Sequence, residues 1–143
     1  MKKELLHGVI ASIVVVSLAG FVVLAPMPAK AGELAPRLVV VSPMVKMDKK
    51  ATICILGSGF TPGQELALLI TDVDGVPSDI GGALKPVPKA NERGAWYTTW
   101  SCGRFIDKKL VKEGAYAITV TDGDYNPLAH VPVAFYKAEE KKK

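Results

Sequence analysis

Residues 115–121 read Ala115-Tyr116-Ala117-Ile118-Thr119-Val120-Thr121, and every second side chain is large. A period of two puts Tyr116, Ile118 and Val120 on one face, the mark of a half-buried strand. The same reading extends outward on both sides. Upstream, Ala95-Trp96-Tyr97-Thr98-Thr99-Trp100-Ser101 sets Trp96, Thr98 and Trp100 on one face and Tyr97 on the other. Downstream, Val131, Val133 and Phe135 alternate. Pro132 among them cannot donate to a ladder and marks an edge. Apolar runs at residues 38–41, 51–56 and 65–71 are bounded by Ser42-Pro43, Gly57-Ser58-Gly59 and Asp72, so they read as three more strands. Thr61-Pro62-Gly63 is turn chemistry, with Pro fixing φ and Gly accepting a positive φ after it. Residues 107–113 are the one helical candidate, and they are short. With a short edge strand near residues 83–87, the pattern predicts an all-β antiparallel sandwich of about seven strands.

The N-terminal fifth of the 143-residue chain has a different character. Met1-Lys2-Lys3 precedes an apolar block at residues 9–24; Pro26 and Pro28 then break any helix before Ala29-Lys30-Ala31. A basic start, an apolar run and a small-x-small site read as an export signal, either cleaved after Ala31 or kept as a membrane-anchoring helix. No cysteine adjoins the site, which excludes a lipoprotein anchor. Both readings place the rest of the chain outside the cytoplasm, secreted or in the cell envelope. The expected organisation is a signal or anchor at 1–31, one sandwich domain at 32–136 and a charged tail at 137–143. Loss of Lys2, Lys3, Lys30 and Glu4 lowers the formal net charge from +4 to +2, too little for a nucleic-acid footprint.

Three colinear segments carry a family resemblance. Gly57-Ser58-Gly59-Phe60-Thr61-Pro62-Gly63, Asn91-Glu92-Arg93-Gly94-Ala95-Trp96 and Glu113-Gly114-Ala115-Tyr116 running on to Asp122 resemble the hairpin and strand motifs of bacterial immunoglobulin-like domains of the IPT/TIG type or a related type. The resemblance implies an immunoglobulin-like sandwich in which Trp96 and Trp100 are core. It also implies that the strands carrying Cys54 and Cys102 are neighbours. Two cysteines in an oxidising compartment are expected to pair, Cys54 with Cys102, the alternative being two separate buried thiols. The family sets a fold rather than a function, because such modules serve as adhesins, enzyme appendages and assembly subunits.

Catalytic chemistry has little to draw on. His130 is the only histidine left after the signal, and alternation sets it on an outer face. Gly57-Ser58-Gly59 is a hairpin rather than a strand-to-helix nucleophile elbow, and there is no Cys-x-x-Cys. No enzymatic role is expected. Asp122, Asp124 and Asn126 offer oxygens at alternate positions, as calcium loops do, yet Pro127 and Val133 stand where such a loop needs Gly and Glu. Plain turn residues are the alternative reading, and the matching Asp72/Asp74 pair belongs to the opposite end of an immunoglobulin-like sandwich.

What remains is binding. The expected role is an exported, non-catalytic interaction or structural module, an accessory subunit of an envelope or surface complex with a protein partner and no nucleic acid. It would touch a membrane only through an uncleaved N-terminus. The alternative is a small-ligand module for carbohydrate or calcium. Residues 72–93 form the longest stretch without clear periodicity, so Ile80, Leu84 and Val87, with outward-facing Tyr97, are the expected partner contacts.

Overall fold

Each alternating run of the sequence is a strand in the computed structural model, which describes residues 35–140. The expected signal or anchor at 1–31 and the last three lysines lie outside the described residues. Among the described residues no helix is long and apolar enough to cross a membrane. The strands are β1 Arg37–Val40, β2 Met44–Lys46, β3 Ile53–Ser58, β4 Ala67–Thr71, β5 Pro77–Asp79, β6 Leu84–Lys85, β7 Trp96–Trp100, β8 Gly114–Thr121 and β9 Pro127–Tyr136, with one short helix, α1 Gly103–Asp107. They form a four-stranded sheet, β1-β3-β7-β6, and a five-stranded sheet, β2-β9-β8-β4-β5. All pairings are antiparallel except that of β2 with β9. With β1, β3, β7 and β6 lettered A, B, E and D, and β4, β8 and β9 lettered C, F and G, the order is that of an immunoglobulin-type sandwich.

Aromatic side chains join the two sheets. Trp100 of β7, fully buried, meets Phe135 of β9 edge-on at 6.1 Å between ring centroids. Phe135 in turn meets Tyr116 of β8 at 5.5 Å. These T-shaped contacts add to the burial of the rings themselves, about 0.5–1.5 kcal/mol each. Ile53, Ile55, Leu68, Ile118 and Val120 fill the space between, all from inward strand positions. Tyr116 carries a second role: the Lys112 backbone N–H donates to its hydroxyl at 2.9 Å. A tyrosine near the start of the F strand, tied to the backbone just upstream, is the corner that pins this strand in immunoglobulin-like sandwiches.

Several expectations need correction. Residues 72–93 hold β5, a 3-10 turn at Gly81–Ala83 and β6. Ile80 and Leu84 are core residues at 0% and 4% exposure, because this segment passes from the edge of one sheet to the edge of the other and closes the sandwich. The helix occupies Gly103–Asp107, not 107–113. It starts where Gly103, the one residue without a Cβ, lets the backbone run against Lys49 and Ala51. It ends in a Schellman stop, with Lys109 left-handed at φ 59° and the Leu110 N–H bonded to the Phe105 carbonyl at 2.8 Å.

Candidate functional site

The outer face of the four-stranded sheet is apolar. In β1 and β3 the inward residues alternate with Val39, 54% exposed, and Leu56, 41% exposed. Register sets Val39 beside Leu56 and Leu56 beside Tyr97, itself 60% exposed. At the far edge Lys85 of β6 pairs with Thr99, and the Thr98 hydroxyl, on the inner side of the sheet, donates to the Pro86 carbonyl at 2.7 Å. A second row runs beside it. Val41, exposed, donates its N–H to the Cys54 carbonyl, and Cys54 faces Thr99, which faces Lys85. No Asp or Glu stands at an outward position on β1, β3, β7 or β6. The cations Arg37 and Lys85 sit on the two outermost strands.

The opposite outer face is different in kind. There Asp79, Leu69, Thr119 and His130 form one row across β5, β4, β8 and β9, with Pro77, Thr71, Ala117 and Pro132 in the next. The one large apolar side chain in those rows, Leu69, is only half-exposed, whereas Val39, Leu56 and Tyr97 are all exposed. Val39, Val41, Leu56 and Tyr97 are all exposed and form a patch on the order of a few hundred Å², the size of the largest patch on an ordinary monomer and often a functional one. One expected contact, Tyr97, therefore belongs to this face; Ile80 and Leu84 are core residues, and Val87 is exposed beyond the end of β6. Leu56, Val39 and Val41 went unrecognised, although Leu38-Val39-Val40-Val41 and Ile53-Cys54-Ile55-Leu56 carried the signal. A strand apolar at both parities has two apolar faces.

The cysteines are both free thiols, so the expected Cys54–Cys102 bridge is absent from the structure. Cys54 pairs with Thr99 and is half-buried on the outer face. Cys102 is fully buried beside Ala51, where the following N–H, that of Gly103, bonds to the Ala51 carbonyl. Three residues of strand separate Ala51 from Cys54, about 10 Å at the ordinary rise, against the limit of about 7 Å for a bridge. The strands are neighbours, but the residues are out of step and on opposite faces. Burial pushes the Cys102 thiol up to about 11.

Asp122, Asp124 and Asn126 form a turn rather than a cation cradle. One carboxylate oxygen of Asp122 accepts the N–H groups of Asp124 and Asn126, both at 2.9 Å, and the other accepts the Asn126 side-chain amide at 2.9 Å. These bonds hold the exposed Asp122 carboxyl below the usual carboxylate range, the Asn126 side chain contributing most. Asp72 caps Asp74 and Val76 in the same way, and Asn91 caps Arg93 and Ala95. The fourth residue of each turn is left-handed: Gly75, Gly94 and, in the third, Tyr125. The Tyr125 hydroxyl donates to Asp79 at 3.1 Å, and that carboxylate raises the phenol's pKa. The Asp72 and Asp122 turns lie at opposite ends of the β4–β8 pair, as expected. Among the described residues no three His, Cys, Asp or Glu side chains gather around a common point.

One concavity lies between the 3-10 turn and α1, lined by Asp79, Gly82, Ala83, Arg104, Phe105, Lys108 and Leu110. It encloses about 230 Å³, below the range of ordinary small-molecule sites.

No family model matches the chain, and no curated protein matches it. Among solved structures it is similar to a tetra-tandem repeat in the extending region of a large adhesion protein, at 17% identity and a TM-score of 0.39. The match covers 71% of this chain and 24% of that one, so the chain spans about a quarter of the protein it resembles.

Proposed function

We propose that this chain is an exported, non-catalytic interaction module of the cell envelope, built on an immunoglobulin-like domain of the IPT/TIG type or a related type. Its contact surface is the outer face of the four-stranded sheet. One observation carries the reading: Val39, Leu56 and Tyr97 stand side by side on three strands, exposed, with no carboxylate among them. Export rests on the basic start, apolar block and Ala29-Lys30-Ala31 site of the sequence. A role as an accessory subunit of a larger assembly fits a small domain whose largest unsatisfied feature is an apolar face. Carbohydrate or calcium binding has less support, because Tyr97 stands among aliphatic neighbours and Asp122 spends its oxygens on its own turn.

A photo-cross-linking amino acid placed at Tyr97 tests this in the producing cell. Covalent adducts are expected from position 97 and not from position 130, on the opposite outer face. Equal adducts from both positions, or none from 97, would overturn the reading. Intact mass of the same material is expected to show a chain beginning at Gly32, and a chain retaining residues 1–31 would replace a cleaved, released domain by a membrane-anchored one.

A further inference from the structure

We infer that the occupant of this apolar face is an anionic lipid bilayer; the inference rests on the reading of the face as the contact surface. Charge is the first reason. The outward residues of the four strands include Arg37 on β1 and Lys85 on β6, one at each flank, and no carboxylate. Neither cation is in an ion pair among the described residues. Register places them four residues apart along the ladder and three strands apart across it. At ordinary strand rise and spacing that is a diagonal of about 19 Å, with Val39, Leu56 and Tyr97 between its ends. A face apolar at its centre and cationic at both flanks matches a partner that is negative at its surface and apolar beneath. Apolar insertion and basic residues acting together are what hold a domain on a membrane, and either one alone binds marginally.

Area is the second reason, and it favours a bilayer over a protein. A stable protein pair buries about 800 Å² on each partner, more than a patch on the order of a few hundred Å² supplies. A bilayer has no shape to match, so a flat pleated face meets it as it stands. Tyr97, 60% exposed with aliphatic neighbours, is an amphipathic ring of the type that gathers at membrane interfaces. The stems of Arg37 and Lys85 are long enough to lie along apolar surface while their charged heads stay with the lipid phosphates.

Chain length is the third. The apolar block of the export segment ends at Leu24, and β1 begins at Arg37. The connecting residues reach at most about 45 Å. While residues 1–31 stay attached, the strand that carries Arg37, Val39 and Val41 is therefore tethered within that distance of the end of the block.

The experiment uses the exported protein with vesicles of phosphatidylcholine alone and of phosphatidylcholine mixed equally with phosphatidylglycerol. Cys54 is the reporter. Its thiol is free and half-buried on this face, whereas Cys102 is buried. Labelling by an uncharged maleimide therefore reads the face itself, whether or not residues 1–31 are retained. Anionic vesicles should slow labelling several-fold, neutral vesicles should not, and high salt should reverse the protection. Arg37→Gln and Lys85→Gln should each raise the lipid needed for half-protection about fivefold, and Tyr97→Ser roughly tenfold, with Tm unchanged. His130→Gln, on the opposite outer face, should change nothing.

Binding through basic residues elsewhere, such as Lys108, Lys109 and Lys112 after α1, would leave Cys54 open to the reagent. No protection by anionic vesicles, or protection indifferent to all three substitutions on the face, would overturn the inference. In the cell, position-97 adducts should carry the mass of a lipid. Adducts of protein mass, with Cys54 unprotected by vesicles, would overturn the bilayer as occupant and leave the contact face in place. Absence of any adduct from position 97 would overturn the reading of the face as well.

Discussion

Gly57 and Trp96 offer the sharpest test of the packing. They are register partners on β3 and β7, and the indole lies over the glycine. A Cβ at position 57 would meet Nε1, Cε2 and Cζ2 of Trp96, the last at 2.6 Å, where ordinary contacts begin near 3.4 Å. The ring has little room to withdraw. Trp96 is 5% exposed and braced edge-on by Phe60 at 5.7 Å. Overpacking of this kind costs about 2–3 kcal/mol, which lowers Tm by about 10–20 °C in a domain of this size. The sign is what makes the experiment decisive. In a strand, Gly→Ala ordinarily stabilises by about 0.5–1 kcal/mol, since alanine loses less entropy on folding. Gly57→Ala should therefore destabilise, measured by thermal and urea unfolding. Trp96→Leu, itself destabilising, should remove most of the cost of adding Gly57→Ala. A coupling of at least about 1.5 kcal/mol is expected from the double-mutant cycle. If Gly57→Ala is neutral or stabilising, or costs the same in both backgrounds, the indole does not rest on Gly57 and the β3–β7 register is wrong.

Three further outcomes follow from the same structure. In native protein Cys54 should react with a thiol reagent while Cys102 reacts only on unfolding, and intact mass should show both thiols reduced; a bridged mass would contradict the register. Because burial raises the Cys102 thiol from 9.0 to about 11, its share of stability is complete below pH 9.0 and is lost as pH climbs towards 11, readable as a Tm that falls more steeply in the parent than in Cys102→Ala. Asp122→Ala should lower Tm at neutral pH by removing the acceptor of three hydrogen bonds. With its carboxyl held low in the fold, the parent's advantage persists above the ordinary carboxylate pKa and fades as pH falls through the lower folded value. A parent–variant gap that did not narrow in acid would refute that account.

Much of the fold was legible along the chain because alternation is local. Tyr116, Ile118 and Val120 point inward as their spacing implies, and Trp96 and Trp100 are core. Thr61-Pro62-Gly63 makes its turn, with the Gln64 N–H on the Thr61 carbonyl at 3.1 Å and Gly63 at φ 77°. Less of the candidate site was legible. Tyr97 was found by its parity, whereas Ile80 and Leu84 were misread as contacts because nothing in an aperiodic stretch says which residues it returns to the core. β2 escaped notice for a related reason. Three residues long, it exists only because β9, far along the chain, lies parallel beside it.

The sequence by itself determined a period of two, the turns that interrupt it and hence an all-β sandwich; these are properties of neighbours within a few bonds, and elementary sterics and burial settle them. The tertiary structure alone decided register. Register put Cys54 and Cys102 out of step, so that two strands expected to be bridged are held by hydrogen bonds and packing. Register also brought Val39, Leu56 and Tyr97, distant along the chain, into one exposed row. A slip of a single residue would have turned those side chains inward, and only the pairing of strands, summed over the whole core, determines which way they face.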